Sequence, residues 1–302
     1  MKKIRIVKDS GLPICPNVNE YFGWPQDVFL ETFFPQDCSY SIVDENEKAD
    51  IACYGIGLKD DSVLRDDELN VYIGIENAKF WGPGGGGKDI FTNHCYYFFI
   101  RYNYFNSKKT NVFIHNDKNI ETFSPHRCIP AVHCRIQYYN NMREYYKKSI
   151  SEVPFEKKKL ILFISQNGLN QNKINLANFL IQNKHQADHI SQYSNFLKNS
   201  SCYHSKELLT LFSNYKFIAC FENSSTPGYI TEKIFNVFFS KSIPIYDGAP
   251  DLQNFINPKS YIRLDSNILR NIEIIGNNKE LYNEMLNSKK IQPKYENIKI
   301  KF

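Results

Sequence analysis

Residues 214–250 of this 302-residue chain, NYKFIACFENSSTPGYITEKIFNVFFSKSIPIYDGAP, predict a strand, a loop, a helix and a second strand. The apolar run from Tyr215 to Phe221 has the length and the β-branched and aromatic content of a strand. A polar turn cluster, Asn223 to Pro227, follows it. Thr231 is a candidate N-cap, and Ser242 to Tyr246 is a second apolar strand. Such a unit places its loop at the carboxyl edge of a parallel sheet, where open α/β folds bind ligands.

Polar side chains gather around this loop, on the strand end, the loop and the first helical turn. They are Asn223, Tyr229, Glu232 and Lys233. A helix N-terminus attracts phosphate through its free N–H groups and partial positive charge, and Lys233 adds a full charge. Glu232 would repel phosphate, so we expect it to accept hydrogen bonds from sugar hydroxyls. The pattern indicates a nucleotide-sugar site, and an ordinary capped helix with a solvated lysine is the alternative.

The run CFENSSTPGYITEKIFNVFFSKSIPIYDGAP, residues 220–250, resembles the donor-site signature of the α-1,3/1,4-fucosyltransferases of glycosyltransferase family 10, particularly their bacterial-type members. That signature runs Phe-Glu-Asn-Ser, then Gly/Asp-Tyr-Val/Ile-Thr-Glu-Lys, then Ile/Val-Pro-Ile/Val-x-x-Gly. The resemblance covers residues 205–262. It implies an α/β chain with the GT-B fold, in which two Rossmann-like domains face each other across a cleft. It also implies that GDP-fucose is the donor and that the four polar residues above contact it.

The resemblance also implies a catalytic base. An inverting transfer needs a carboxylate that takes the proton of the acceptor hydroxyl as it attacks the anomeric carbon. The family places Gly-Glu-Asn after a strand, and residues 71–77, VYIGIEN, put Glu76 at that place with one additional Ile. Glu76 is therefore the candidate base. The alternative is a solvent-exposed loop glutamate, because one extra residue can turn a side chain away.

A second strand, LILFIS at residues 160–165, begins the donor half of the chain. The family has an arginine a few residues beyond this strand, where it binds the donor pyrophosphate. Residues 166–172 contain no arginine, and Lys173 is the nearest cation. Lysine keeps the charge but lacks the planar fork of arginine, so a solvated Lys173 is the alternative. The charged stretch at 142–159 predicts an acceptor-side domain at 1–150 and a GDP-sugar domain at 151–302.

Two further patterns bear on acceptor and metal. Four consecutive glycines, Gly84–Gly87, predict a mobile loop on the acceptor side, whose role stays open. The sequence contains no Asp-x-Asp motif. We therefore predict a metal-independent enzyme that needs no cofactor other than its co-substrate, GDP-fucose.

Composition excludes some classes of protein. The chain carries 37 basic and 32 acidic residues, a net charge of +5, with both signs interspersed. A nucleic-acid binder would show a basic stripe, whereas this balance suits an anionic donor or peripheral contact with a membrane surface. No apolar run is long enough for a signal peptide or a membrane span. The eight cysteines form no Cys-x-x-Cys pair, so we expect buried free thiols, such as Cys53 and Cys220, in a cytoplasmic protein.

Together these features predict an inverting glycosyltransferase that moves fucose from GDP-fucose to a hydroxyl of a GlcNAc- or Glc-containing glycan, with α-1,3-type linkage. Its partners would be a GDP-sugar donor and an oligosaccharide or glycoconjugate acceptor. Two alternatives stay open. The chain could transfer a different sugar from another nucleotide, or it could be a catalytically degenerate carbohydrate-binding protein.

Overall fold

The computed structural model describes residues 1–7, 20–21, 24–34, 39–54, 64–74, 112–115, 127–165, 176, 178, 187–191 and 205–301. Glu76, Lys173 and the loop Gly84–Gly87 lie outside the described residues. The chain divides into two compact units, one of residues 1–137, 226–229 and 298–302, the other of residues 138–225 and 230–297. The domain limits 1–150 and 151–302 stay a prediction.

The first unit is built on a six-stranded parallel sheet with strand order β4-β1-β5-β6-β7-β8. The elements from the start of the chain are β1 (Lys2–Ile6), β2 (Glu20–Tyr21), β3 (Trp24–Pro25), α1 (Gln26–Phe33), β4 (Tyr40–Val43), β5 (Ile51–Tyr54), β6 (Leu69–Gly74), β7 (Val112–His115) and β8 (Arg127–Pro130). Helix α2 (Ala131–Ser149) follows, and its residues from Tyr138 onward belong to the second unit. All four residues of β5 are buried, as expected for a parallel strand covered on both faces. A buried ion pair, Arg5 Nη2 to Glu68 Oε2 at 2.6 Å, lies beside this sheet.

The second unit is built on a five-stranded parallel sheet with strand order β10-β9-β11-β12-β13. Its elements are β9 (Lys159–Ser165), β10 (Ala187–Ser191), α3 (Lys206–Ser213), β11 (Tyr215–Phe221), α4 (Glu232–Phe239), β12 (Ile243–Asp247), β13 (Ile262–Arg263), α5 (Ile268–Asn277) and α6 (Lys279–Asn287). Short 3-10 turns at Phe155–Lys157, Leu252–Asn254, Pro258–Ser260 and Pro293–Tyr295 connect them.

The core of the second unit follows the period of two in its strands. Phe217, Ala219 and Phe221 alternate along β11 and are buried in one cluster with Ile268 and Ile272 of α5. Helix α4 packs against β11 and β12. Because both faces of the sheet need cover, β11 is apolar almost without a break.

The strand order locates a binding edge in the second sheet. Strand β9 comes first in the chain and lies between β10 and β11, so the direction of winding reverses at β9. Open α/β sheets bind ligands beyond the carboxyl ends of the strands at such a switch point. The carboxyl end of β11 is Phe221, so the loop that starts at Glu222 leaves the sheet beside this point.

The structure differs from the sequence prediction in a few elements. Helix α5 and strand β8 were not predicted, and the charged stretch at 142–159 contains only the end of α2, which begins at Ala131. Cys53 and Cys220 are buried free thiols, as predicted, and burial raises the pKa of the Cys53 thiol. Among the described residues, no helix combines the length and the apolar character that crossing a bilayer would require.

Candidate functional site

The loop after β11 is tied to the start of α4 by one buried carboxylate. The Glu222 side chain is 0% exposed, and its Oε1 accepts the Thr231 N–H at 2.8 Å. Its Oε2 accepts the Thr231 hydroxyl at 2.7 Å and the Lys233 ammonium at 3.1 Å. A buried carboxylate needs such partners, because an unpaired one would be very costly. Glu222 thus fixes the two ends of the loop.

Thr231 caps α4, as the sequence predicted. Its hydroxyl oxygen accepts from the Lys233 N–H at 3.5 Å and from the Lys233 ammonium at 3.1 Å. The same ammonium lies 3.8 Å from Glu232 Oε1, and the Lys233 side chain is 31% exposed. The lysine therefore stands at the positive end of a helix, held in place yet open to solvent.

The middle of the loop is a tight turn that the sequence specifies. The Tyr229 N–H donates to the Thr226 carbonyl at 3.1 Å, and Gly228 has a φ of 80°. Proline at the second position and glycine with positive φ at the third are the signature of a type II turn. Tyr229 is 0% exposed, so the turn directs its ring into the protein interior.

Gly248, directly after β12, lies against Glu222 at the carboxyl edge of the sheet. Any side chain at this position would displace its neighbours. The Glu222 N–H donates to the Asp247 carbonyl at 2.7 Å, which carries the pairing of β11 and β12 one residue further. A Cβ on Gly248 would lie 2.5 Å from Glu222 Cγ and 2.8 Å from the Tyr246 hydroxyl. The hydroxyl of Ser225 donates to the Gly248 carbonyl at 3.0 Å.

Arg263 at the end of β13 holds the loop after β12. Its guanidinium donates to the Ala249 carbonyl at 2.9 Å and to the Gly248 carbonyl at 3.3 Å. It lies 5.7 Å from the centre of the Tyr246 ring. Burial raises the pKa of Tyr246 well above its usual value, so this phenol stays neutral, and its oxygen accepts the Ala249 N–H at 3.2 Å. Arg263 brings a second cation to this sheet edge.

The structure places the predicted donor residues in different surroundings. Asn223 is exposed and Lys233 is partly exposed, so neither is packed into the interior. Glu232 is only 8% exposed, and Tyr229 has no exposed surface. The donor-binding roles of these four residues, like that of Lys173, stay predictions.

Glu222 and Arg263 are the site residues that the sequence analysis missed. Glu222 belongs to the Phe-Glu-Asn-Ser motif, and its position directly after an apolar strand, with Thr-x-Lys beginning nine residues later, was the available signal. Arg263 gave no local signal, since its role depends on the pairing of β12 with β13. In the part of the chain that the structure describes, no cluster of three His, Cys, Asp or Glu residues could hold a metal ion.

Comparisons with known proteins found matches to this part of the chain. Residues 153–298 match the model of the C-terminal part of glycosyltransferase family 10 (fucosyltransferase). An alpha-(1,3)-fucosyltransferase of Helicobacter pylori is 43% identical over 68 residues, 22% of this chain and 14% of that protein. An alpha-(1,4)-fucosyltransferase of Arabidopsis thaliana is 46% identical over 50 residues, 17% of this chain and 12% of that protein. These matches span less than a sixth of the length of either relative.

Solved structures extend the likeness to nearly the whole chain. A crystal structure of an alpha1,3-fucosyltransferase with GDP matches with a TM-score of 0.54 and 19% identity, over 95% of this chain and 81% of that one. A structure of an alpha1,3-fucosyltransferase with GDP-fucose gives 0.53 and 18% over the same shares. At these identities the likeness shows the fold, and it confirms the predicted GT-B class. The resemblance found in residues 220–250 is also confirmed, because it lies within residues 153–298, which match the family model of the glycosyltransferase family 10 (fucosyltransferase) C-terminal part.

Proposed function

We propose that the chain is an inverting fucosyltransferase that uses GDP-fucose as donor and a GlcNAc- or Glc-containing glycan as acceptor. The observation that carries this proposal is the Glu222–Thr231–Lys233 network, at the carboxyl edge of the second sheet beside its switch point. The network lies inside the segment that matches the fucosyltransferase family.

The donor diphosphate would bind at the N-terminus of α4. Helix N–H groups and the Lys233 ammonium offer hydrogen bonds and positive charge to the phosphate oxygens. An ammonium has three N–H donors, and two of them are directed to Glu222 and Thr231 at 3.1 Å. These bonds limit the rotation of the lysine, so the ammonium loses little further entropy when the donor binds.

The other predicted contacts take distinct roles in this proposal. Asn223 is exposed and can hydrogen-bond to a phosphate or sugar oxygen directly. Glu232 would accept from a ribose or fucose hydroxyl through the small part of its side chain that is open. Tyr229 is 0% exposed, so it can contact the donor only if the turn Thr226–Tyr229 moves, and otherwise it holds that turn. Lys173 would supply a further charge.

The reaction is a single displacement at the anomeric carbon. The acceptor oxygen forms a bond to the sugar while the bond to the diphosphate breaks, and GDP leaves with the electron pair. Glu76 would receive the proton of the acceptor hydroxyl. The cation at the helix terminus would stabilise the charge that develops on the leaving group, which is the task a metal ion performs in other transferases. We therefore propose a metal-independent transfer. We also propose that it takes place in the cytoplasm, which agrees with the free thiols of Cys53 and Cys220.

The names of the related proteins agree with this choice of donor. Two of the matching solved structures contain GDP or GDP-fucose, and the curated relatives are named alpha-(1,3)- and alpha-(1,4)-fucosyltransferases. The absence of an arginine between residues 166 and 172 favours a second candidate function, the transfer of a different sugar from another nucleotide.

The test is a transfer assay with the purified chain, GDP-fucose and N-acetyllactosamine, in which release of GDP is measured with and without EDTA. We expect acceptor-dependent release that EDTA does not affect, and its loss by at least about two decades in Glu76→Gln. A parallel thermal-shift panel of GDP-, UDP- and TDP-sugars separates the second candidate. Turnover with none of these donors would leave only the carbohydrate-binding alternative.

A further inference from the structure

A cavity lies in the second unit, away from the network around Lys233. It has a volume of about 420 Å³, and its walls come from α2, the end of α4 and the segment after α6. The residues that α4 contributes are its last two, Phe238 and Phe239, whereas Lys233 lies in its first turn. Small-molecule sites have volumes of about 300–1,000 Å³, so this cavity can hold a compact ligand.

The floor of the cavity is aromatic. The Tyr139 ring lies 5.9 Å from the Phe238 ring and 5.2 Å from the Phe239 ring, measured between centroids. All three side chains are buried, so little of their apolar surface is open to the cavity. Such a floor suits the C–H groups of a sugar ring better than a long acyl chain.

The rim is charged and mostly positive, with five cationic and two acidic side chains. Three of the cations are held by this unit: Lys241 donates to the Ile150 carbonyl at 2.9 Å, Lys289 pairs with Glu296 at 2.8 Å, and Lys290 donates to the Leu286 carbonyl at 2.7 Å. These contacts order three sides of the rim. Glu296 neutralises the charge of Lys289, so the remaining excess of positive charge is four cations against two carboxylates.

The other two cations line one stripe of α2. Arg143 and Lys147 follow Tyr139 at intervals of four residues, so the three lie on one face of the helix. Both are exposed, and among the described residues neither forms an ion pair. The acidic members of the rim, Glu144 and Glu152, are exposed as well and can accept hydrogen bonds from hydroxyl groups.

We propose that this cavity binds a small anionic sugar, with its phosphate on Arg143 and Lys147 and its hydroxyls on Glu144 and Glu152. A simple anion site would gain nothing from the two carboxylates, which repel phosphate. A solvated helix face alone would not form a concave volume lined by aromatic side chains. The binding site is independent of the proposed transfer reaction, because it shares no residue with the network around Glu222.

The test is isothermal titration calorimetry of the full chain with glucose 6-phosphate, and with glucose and inorganic phosphate as reference ligands. We expect glucose 6-phosphate to bind more tightly than either reference. Arg143→Ala/Lys147→Ala should weaken it by about tenfold or more, since bonds between charged groups are lost. Lys148→Ala is the matched control: Lys148 is the next residue on the same helix, is also exposed and does not line the cavity.

A second variant tests the sugar contacts alone. Glu144→Gln should weaken the binding of glucose 6-phosphate and leave the affinity for inorganic phosphate unchanged or slightly higher. The proposal is overturned if glucose 6-phosphate does not bind at millimolar concentration or if inorganic phosphate binds equally well. It is overturned too if Lys148→Ala weakens binding as much as Arg143→Ala/Lys147→Ala does. It is also overturned if Arg143→Ala/Lys147→Ala only reduces binding to anionic phospholipid vesicles. GDP titrations should give the same affinity for all these variants, whether or not the chain transfers fucose.

Discussion

Replacing Glu222 by glutamine removes one charge from the centre of the Glu222–Thr231–Lys233 network and keeps the shape of the side chain. The carboxylate accepts three hydrogen bonds, from Thr231 N–H, from its hydroxyl and from the Lys233 ammonium. Glutamine has one acceptor oxygen, and its NH₂ group would face the ammonium or the N–H, both of which are donors. Breaking a fully buried ion pair costs about 3–5 kcal/mol. Lys233 is 31% exposed, so water can solvate the freed ammonium and lower the loss to about 2–3 kcal/mol.

The assay is equilibrium unfolding in urea at pH 7, monitored by far-ultraviolet circular dichroism. For Glu222→Gln we expect the free energy of unfolding to fall by that amount, with an unchanged slope. The matched control is Glu207→Gln, an exposed carboxylate in the first turn of α3, which should change stability by less than about 0.5 kcal/mol. Equal and small changes in both variants would refute the assigned role of Glu222 in tying the loop to α4.

Three further outcomes are expected. Gly248→Ala places a Cβ 2.5 Å from Glu222 Cγ, so it should lower the free energy of unfolding by about 1–3 kcal/mol and weaken the binding of GDP in calorimetry. An unchanged stability and GDP affinity would contradict that crowding. Arg5→Met removes the partner at 2.6 Å from the buried Glu68 carboxylate, which keeps Arg65 at 3.4 Å and the Ala49 N–H at 3.0 Å, so the cost in the same urea experiment should be about 3 kcal/mol. Burial lowers the pKa of Lys158 to about 8 from 10.5, so the folded state binds its proton less tightly than the unfolded chain. Wild type should therefore gain stability relative to Lys158→Met between those pH values, by up to about 1.4 kcal/mol per pH unit, and a constant difference would contradict the shift.

The elements that local patterns specify were predicted well. Strand β11 begins and ends at the predicted residues, and Thr231 caps α4 as its sequence context indicated. Both signals are short-range: an apolar β-branched run, and a hydroxyl just before a helical repeat. Helix α5 was not predicted, although Ile268 and Ile272 are buried at helical spacing.

The candidate site was predicted less completely, because pairing between distant parts of the chain determines its geometry. Asn223 and Lys233 were found from their motif, and both keep exposed surface. The burial of Tyr229 depends on the type II turn at Gly228 and could not be inferred from a tyrosine beside a loop. Arg263 reaches Ala249 only because β13 pairs with β12, a contact that no periodicity in the sequence encodes.

The most direct measurement is the affinity for GDP of wild type and of Lys233→Met, by calorimetry on samples whose circular dichroism shows them folded. Lys206→Met, which removes an exposed charge from α3, serves as the control. If the start of α4 holds the diphosphate, Lys233→Met should bind GDP at least about tenfold more weakly, a loss of about 1.4 kcal/mol or more, while Lys206→Met matches wild type. Equal affinities for all three proteins would show that the diphosphate does not bind at this helix.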